Sequence, residues 1–251
     1  MIKDVEFLRY SRQISVAQIG FVGQQKLKHS RVLIVGCGGL GNVVALYLAA
    51  SGVGKLVLSD GDKVESSNLQ RQVAYSEDEI GNSKAKALCK KLVALNSSCN
   101  AVAIAQNLFG ERLQLETMIS DLVIDCSDNF KTRREVNNAC VLHRTPLVSG
   151  SAVNWHGQVA IFNNHIDAPC YECLFPNTEG QSDMNCSTLG VVGPVVGVIG
   201  SMQALLSIRL ITNVDNTTQN ELHCFDGLDM KWNKFVMQRN LNCVVCMDKE
   251  C

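Results

Sequence analysis

The run RVLIVGCGGLGNVVALYLAA, residues 31–50, restricts the possible folds of this chain more than any other stretch. RVLIV, apolar without alternation, reads as a strand buried on both faces, and the apolar residues from about Leu40 to Ala50 read as a helix. Between them Gly36, Gly38 and Gly41 form GxGxxG directly after the strand and at the mouth of the helix, where backbone amides and the helix dipole can hold a phosphate. A second strand, KLVLSD, completes a βαβ unit and ends on Asp60, where a carboxylate can accept from ribose hydroxyls. The glycine spacing points to a nucleotide without saying which; NAD fits, and a tight structural turn would use the same glycines.

The rest of the chain extends this unit. Phe7, Leu8, Ile14 and Ile19 space an apolar stripe along a helical start. A helix over 83–96, a strand near 101–106, a helix around 110–119, a strand ending on Asp125 and a helix near 130–143 follow in alternation, which predicts a parallel sheet. PLVSGSAV and GQVAIFN read as two more strands and ELHCFDG with KWNKFVMQR as a closing pair, and their short connections make that part antiparallel. The apolar stretch 189–211 approaches membrane-spanning length but carries Pro194, Ser201, Gln203, Ser207 and Arg209, so it is read as a core helix entered through Gly193 and Pro194. Residues 176–188, polar and turn-rich, are expected to be the least ordered. The predicted fold class is α/β: a Rossmann-like, mixed but mostly parallel sheet with flanking helices and an antiparallel C-terminal extension.

At 251 residues and 46% apolar the chain can bury a core as one domain. With 23 basic and 24 acidic side chains it carries no general field for nucleic acid or an anionic membrane, so neither is an expected partner. MIKDVEFLRYSRQ has charges where a secretory signal needs an apolar core, and the expected location is cytoplasmic.

In a reducing compartment the twelve cysteines are expected as free thiols or metal ligands. Cys37, Cys89, Cys99, Cys126, Cys140 and Cys224 lie in apolar or periodic segments and read as inert small hydrophobes. Cys170 with Cys173 and Cys243 with Cys246 form two distant CxxC pairs that can close a tetrahedral structural Zn2+ site; a redox dithiol or chance pairing is the alternative. Cys186 stands alone in the polar loop, where the plain reading is an unreactive surface thiol, and Cys251 at the chain end has no assigned role.

The polar run SSNLQRQ sets Asn68, Gln70 and Arg71 close together, and Lys84 follows at the next helix start. A dehydrogenase cleaves nothing at its pyrophosphate, whereas a nucleotidyl transferase must stabilise charge that builds on the α-phosphate and on the leaving group, as Arg71 and Lys84 could. Alone, these two could equally be solvated surface cations. In DCSDN, Asp125 ends a strand and Asp128 lies just beyond it, at the sheet edge where such folds bind ligands. Asp128 could hold Mg2+ on a triphosphate or simply cap the following helix.

With LRYSRQ, GCGGLG, DGDKVESSNLQRQ, the NSK containing Lys84, DCSDN, the two CxxC pairs and GVVGPVVGVIGS in this order, nearly the whole chain resembles the ThiF/MoeB/HesA family, adenylyltransferases that activate ubiquitin-like sulfur carriers and are kin to the ubiquitin-activating enzymes. The resemblance implies attack of the carrier's C-terminal glycine carboxylate on the α-phosphate of ATP, giving an acyl adenylate and pyrophosphate. It places Gly38, Gly39 and Gly41 against the nucleotide, Asp60 on the ribose, and Ser67, Asn68, Leu69, Gln70 and Arg71 along the phosphates. Lys84 and Arg71 offset charge, Asp128 and Asn129 handle Mg2+ and the triphosphate end, and Arg12 reaches the γ-phosphate of the partner subunit's ATP in a homodimer. On this view residues 1–251 are a single adenylation domain, with a nucleotide-binding half to about 150 and a carrier-binding, zinc-containing half beyond.

Within the family, NC shortly before GVVGPVVG resembles the thiamin-thiazole branch, where that cysteine is linked to the carrier during sulfur transfer; the molybdopterin branch typically has AGVMAPLIG character there. A ThiS-like carrier and a sulfur-transfer role for Cys186 are therefore the preferred expectation, and a molybdopterin carrier the alternative. STLG in place of a more usual TAG departs from the branch pattern beside the thiol. The chain ends five residues after Cys246, so sulfur is expected from a separate persulfide-bearing protein. A passive nucleotide-binding or NAD-binding protein is the reading from another class.

Overall fold

A computed structural model describes residues 4–176, 190–214 and 220–247. Helices α1 (Asp4–Ile14) and α2 (Gly20–His29) precede β1 (Arg31–Val35). The chain then alternates through α3 (Gly39–Ala50), β2 (Lys55–Ser59), α4 (Lys84–Leu95), β3 (Asn100–Ile104), α5 (Gly110–Met118), β4 (Leu122–Asp125) and α6 (Phe130–His143) to β5 (Leu147–Val153). After it come β6 (His156–Phe162), the short α7 (Tyr171–Leu174), α8 (Gly193–Thr212), β7 (Glu221–Asp226) and β8 (Lys231–Val236). Each element expected from the apolar pattern is present. Residues 177–189, which hold Cys186 and nearly all of the stretch expected to be least ordered, lie outside the described residues, as does Cys251.

The strands form one sheet in the order β3-β2-β1-β4-β5-β6-β7-β8, parallel as far as β5 and antiparallel from β5 to β8. The chain winds outward from β1 to β3 and returns to β4 on the other side of β1, so the carboxyl ends of β1 and β4 flank the switch point where ligands of open α/β sheets bind. Period-two geometry explains why these strands are apolar throughout. Val32 and Ile34 of β1 enter a core under α3, α4 and α8, while Leu33 and Val35 enter a second core against α5 and α6. Leu56 and Leu58 against Val57, and Leu122 and Ile124 against Val123, divide in the same way.

Helix α8 is the one described helix long and apolar enough to cross a membrane, and here it is a core helix. Val196 and Ile199 are buried, and a side chain at Gly200 would come within 2.9 Å of the Leu40 carbonyl oxygen, so the glycine lets α8 lie directly on α3. Its one fully buried amide, Gln203, donates to the Asp125 carbonyl 2.9 Å away and so ties the helix to the end of β4. β8, exposed along its length, carries Lys231 and Lys234, charges that discourage edge-to-edge pairing. The six cysteines read as inert are buried or half-buried, and burial raises every one of their thiols, Cys89 and Cys99 to about 11.

The end of β4 is anchored by a buried ion pair. Asp125 accepts from the backbone and hydroxyl of Ser127 at 3.0 and 2.6 Å, from the Ser149 hydroxyl at 3.0 Å and from Arg133 Nη1 at 3.2 Å. Arg133 also donates to the Ser149 hydroxyl and, through a short bond, to the Ser127 carbonyl. Both partners are nearly inaccessible, so losing one strands the other's charge. Asp125→Ala is expected to destabilise the protein by about 3–5 kcal/mol in denaturant titration. Asp128→Ala, at an exposed position three residues on, should stay within about 0.5 kcal/mol of the parent.

Candidate active site and metal centre

β1 runs into a turn that only glycine can make. Gly36 has φ +92°, and a Cβ there would sit 2.8 Å from the Cys126 carbonyl oxygen; a Cβ on Gly41 would sit 1.9 Å from the carbonyl oxygen of Gly36. These two glycines let α3 start immediately above the ends of β1 and β4. Gly38 is the helix N-cap residue and lines a cavity of about 730 Å³. Gly38 and Gly39 line that cavity; Gly41, also expected at the nucleotide, packs beneath the turn and does not.

Asp60, just past β2, faces the turn. One carboxylate oxygen accepts from the Cys37 amide at 2.7 Å and the other from the Asp62 amide at 2.7 Å. Burial pushes its carboxyl up, and these two amides pull against that shift. Each oxygen keeps acceptor capacity for a further donor in the cavity.

The polar run folds as a 3-10 turn, Ser66–Asn68, that continues to Gln72 along the cavity wall. Ser67, Asn68, Gln70 and Arg71 line it, whereas Leu69 turns inward against the core. Arg71 donates to the Ser67 carbonyl at 3.2 Å, which holds its guanidinium over the turn. The carboxamide oxygens of Asn68 and Gln72, both more than nine-tenths buried, have no hydrogen-bond partner. A donor from a ligand in the cavity would satisfy them. Lys84, the first residue of α4 and only 8% exposed, points its ammonium to Asp62 at 3.0 Å, leaving further N–H donors beside the cavity.

At the start of α6 the two readings of Asp128 separate. Asn129 is the residue that caps the helix, accepting from the Thr132 amide at 2.9 Å. Asp128 is exposed on the cavity wall, with one oxygen 3.4 Å from the Asn129 amide group. The helix therefore does not use it.

Further lining groups escaped the sequence reading, among them Asp62, Lys63, Glu65, Gln72 and Arg133. Asp62, Lys63, Glu65 and Gln72 lie inside the motif DGDKVESSNLQRQ and could have been taken from it; Arg133 sits among the other charges of α6 and has no signal of its own. Arg12 is exposed on α1 and is not among the residues lining this cavity.

The two CxxC pairs meet. The sulfur atoms of Cys170, Cys173, Cys243 and Cys246 all lie within 4.8 Å of one another, with Cys170 to Cys173 at 3.9 Å, Cys170 to Cys243 at 3.7 Å and Cys173 to Cys246 at 3.5 Å. A tetrahedron with metal–sulfur bonds of about 2.3 Å has edges of about 3.8 Å, so the four cysteines fit a four-coordinate metal ion. Hydrogen bonding from Cys170, foremost among several donors, holds the Cys173 thiol below its usual range. Asn137 on α6 donates to Cys170 sulfur at 3.7 Å and accepts from the Tyr171 amide at 2.9 Å, and Arg239 donates to the Cys246 carbonyl at 2.8 Å. None of the four lines the cavity, and with four ligands the site is closed.

The ThiF family model matches residues 10–245. The chain is 44% identical over 245 residues to the sulfur carrier protein ThiS adenylyltransferase of Escherichia coli (strain K12), covering 98% of this chain and 97% of that one. It is 43% identical over 243 residues to the adenylyltransferase and sulfurtransferase MOCS3 of Caenorhabditis briggsae, covering 96% of this chain but 60% of that protein. Among solved structures, E. coli MccB with ATP superposes with a TM-score of 0.82 at 28% identity, over 96% of this chain and 75% of that one. The match over nearly the whole chain, on the fold and cavity described above, makes this an enzyme of the adenylyltransferase type that belongs to the ThiF family.

Proposed function

We propose that the chain adenylylates the C-terminal glycine of a ThiS-like, ubiquitin-like sulfur carrier at the expense of ATP, for the making of the thiamin thiazole. The observation that carries this reading is the convergence of Arg71, Lys84 and a cap-free Asp128 on one cavity at the N-terminus of α3. Passive binding of a dinucleotide does not need that set. In the reaction a carboxylate oxygen of the carrier attacks the α-phosphorus of ATP, the bond from that phosphorus to the bridging oxygen breaks, and pyrophosphate leaves with its electron pair. Such a displacement asks the protein for positioning and for positive charge.

The residues divide that work. Gly38 and Gly39 bring the α3 N-terminus to the nucleotide, and Asp60, already fixed by two amides, accepts from the ribose. Ser67, Asn68, Leu69, Gln70 and Arg71 form the wall along the phosphates, with Leu69 holding that wall to the core. Lys84 and Arg71 offset the charge that develops at the α-phosphate and the leaving group. Asp128 and Asn129 are assigned to the triphosphate end, where the Asp128 carboxylate would hold a divalent cation. Mg2+ bound there with ATP would neutralise the phosphate oxygens.

Arg12 is assigned to the γ-phosphate of the partner subunit's ATP, which makes the working enzyme a homodimer. Val5, Phe7 and Leu8 on α1 and Phe21 and Val22 on α2 are exposed apolar side chains that a second copy would cover in such a dimer. The four cysteines are assigned to structural Zn2+. Cys186, four residues before the cavity-lining Gly190, is assigned to sulfur transfer from a separate persulfide-bearing donor. Residues 1–251 are read as one adenylation domain working in the cytoplasm. A second reading, activation of a molybdopterin sulfur carrier, draws on the likeness to MOCS3.

Three measurements test these assignments. Arg71→Ala and Lys84→Ala are each expected to slow ATP–pyrophosphate exchange by about 10²–10³-fold, the worth of comparable charge-stabilising donors; exchange at the parental rate removes the variant residue from the mechanism. Incubated with Mg·ATP and a panel of Gly-Gly-ended carriers, the enzyme should add AMP to the ThiS-like protein, detected as a mass increase. Addition to the molybdopterin carrier alone would favour the second reading. Metal analysis of protein purified without chelators should find about one zinc per chain, and serine at any of the four cysteines should loosen the C-terminal end. A stoichiometry near zero would refute the zinc site.

A further inference from the structure

Cys37, inside the glycine turn, has both of its backbone polar groups held by side chains. Its amide donates to Asp60 at 2.7 Å, and its carbonyl accepts from the phenol hydroxyl of Tyr75 at 2.7 Å. The same hydroxyl lies 3.3 Å from the carbonyl oxygen of Lys84, and the Tyr75 amide donates to Gln72 at 3.0 Å. Tyr75 is buried and does not line the cavity, yet the three segments it joins each contribute a lining residue: Gly38, Gln72 and Lys84.

A trans peptide points its C=O and its following N–H in opposite directions. Fixing the Cys37 carbonyl away from the cavity therefore fixes the Gly38 N–H toward it. Because Gly38 lacks a Cβ, sterics oppose reversal of this peptide only weakly, and its hydrogen bonds decide which way it faces. One phenol proton cannot serve two carbonyls fully; the shorter contact makes Cys37 the main acceptor, with Lys84 the weaker one. Burial raises the phenol's pKa, so the hydroxyl remains a donor throughout the working pH range.

We infer that Tyr75 is a positioning residue for nucleotide binding: its hydroxyl orients the Cys37–Gly38 peptide so that the Gly38 N–H faces the phosphates, and it ties that turn to the first turn of α4, which carries Lys84. The inference rests on the nucleotide reading of the cavity.

The test is calorimetric titration of Mg·ATP into folded protein well below its melting temperature. Tyr75→Phe keeps the ring and removes the donor, and its Kd for ATP should rise about five- to tenfold, the size of one net hydrogen bond. Thr145→Val serves as the control: it also removes a hydroxyl donated to a buried carbonyl, that of Thr117 at 3.2 Å, but at a residue that does not line the cavity. Its ATP affinity should equal that of the parent even if its melting temperature falls. Unchanged affinity in Tyr75→Phe, or an equal loss in Thr145→Val, overturns the inference. A parent protein that does not bind ATP overturns the nucleotide reading itself, which is a different result. Should Tyr75→Phe fail to fold, the Gly38 amide resonance of the parent decides. It must move when Mg·ATP is added, and a resonance that does not move refutes the orientation proposed.

Discussion

The close approach of the glycine turn to the end of β4 is the contact on which the rest of the site depends. Gly36 lies against the Cys126 carbonyl with φ in the left-handed region, and Gly41 lies against Gly36 with no space for a methyl group. Because the chain can pass so near, α3 begins above the sheet rather than beside it, and its first residues line the same cavity as the ends of β1, β2 and β4. Asp60 strengthens the arrangement from β2 by accepting from Cys37, so the same residue both braces the turn and lines the cavity. α8 completes the wall. Gly193 passes close to the Gln70 carbonyl and Val196 comes up against Gly39, so the polar run is held between two helix starts.

Around this frame two carboxylates near the end of β4 differ in burial. At the end of β4, Asp125 is enclosed with Arg133 and satisfied by Ser127 and Ser149, and Asp128, three residues later, is open to the cavity. A buried pair of this kind contributes orientation more than net stability, since desolvation offsets much of its Coulomb attraction. Its effect here is to set where α6 begins, and hence where Asp128 stands. α6 also carries Asn137, which donates to Cys170, so one helix touches the cavity at its start and the four-cysteine cluster along its length.

Much of this was legible in the order of residues. Unbroken apolar strands, a 3.6-residue period in the helices and glycines between them specify a parallel sheet, because a strand buried on both faces requires helices over both. The change to antiparallel pairing after β5 followed from short connections. The polar run, Lys84, DCSDN and the two CxxC pairs could be picked out as unusual for a passive dinucleotide site, and a cavity residue such as Asp62 was within the quoted motif although its pairing with Lys84 was not foreseeable. Arg133 was invisible, because one cation among the charges of a helix has no distinguishing neighbour in sequence.

What the sequence determined by itself was local and periodic: which segments are strands, which are helices, where the chain must turn on glycine, and which cysteines come in pairs. The tertiary structure decided which of several similar groups faces the cavity. It made Asn129 rather than Asp128 the helix cap, turned Leu69 inward between cavity-lining neighbours, placed Gly41 under the turn and not at its surface, and brought two cysteine pairs, separated by 73 residues, within sulfur–sulfur contact. The physical reason is that burial and hydrogen-bond partnership belong to positions in space, and those positions are fixed only when non-neighbouring segments pack against one another.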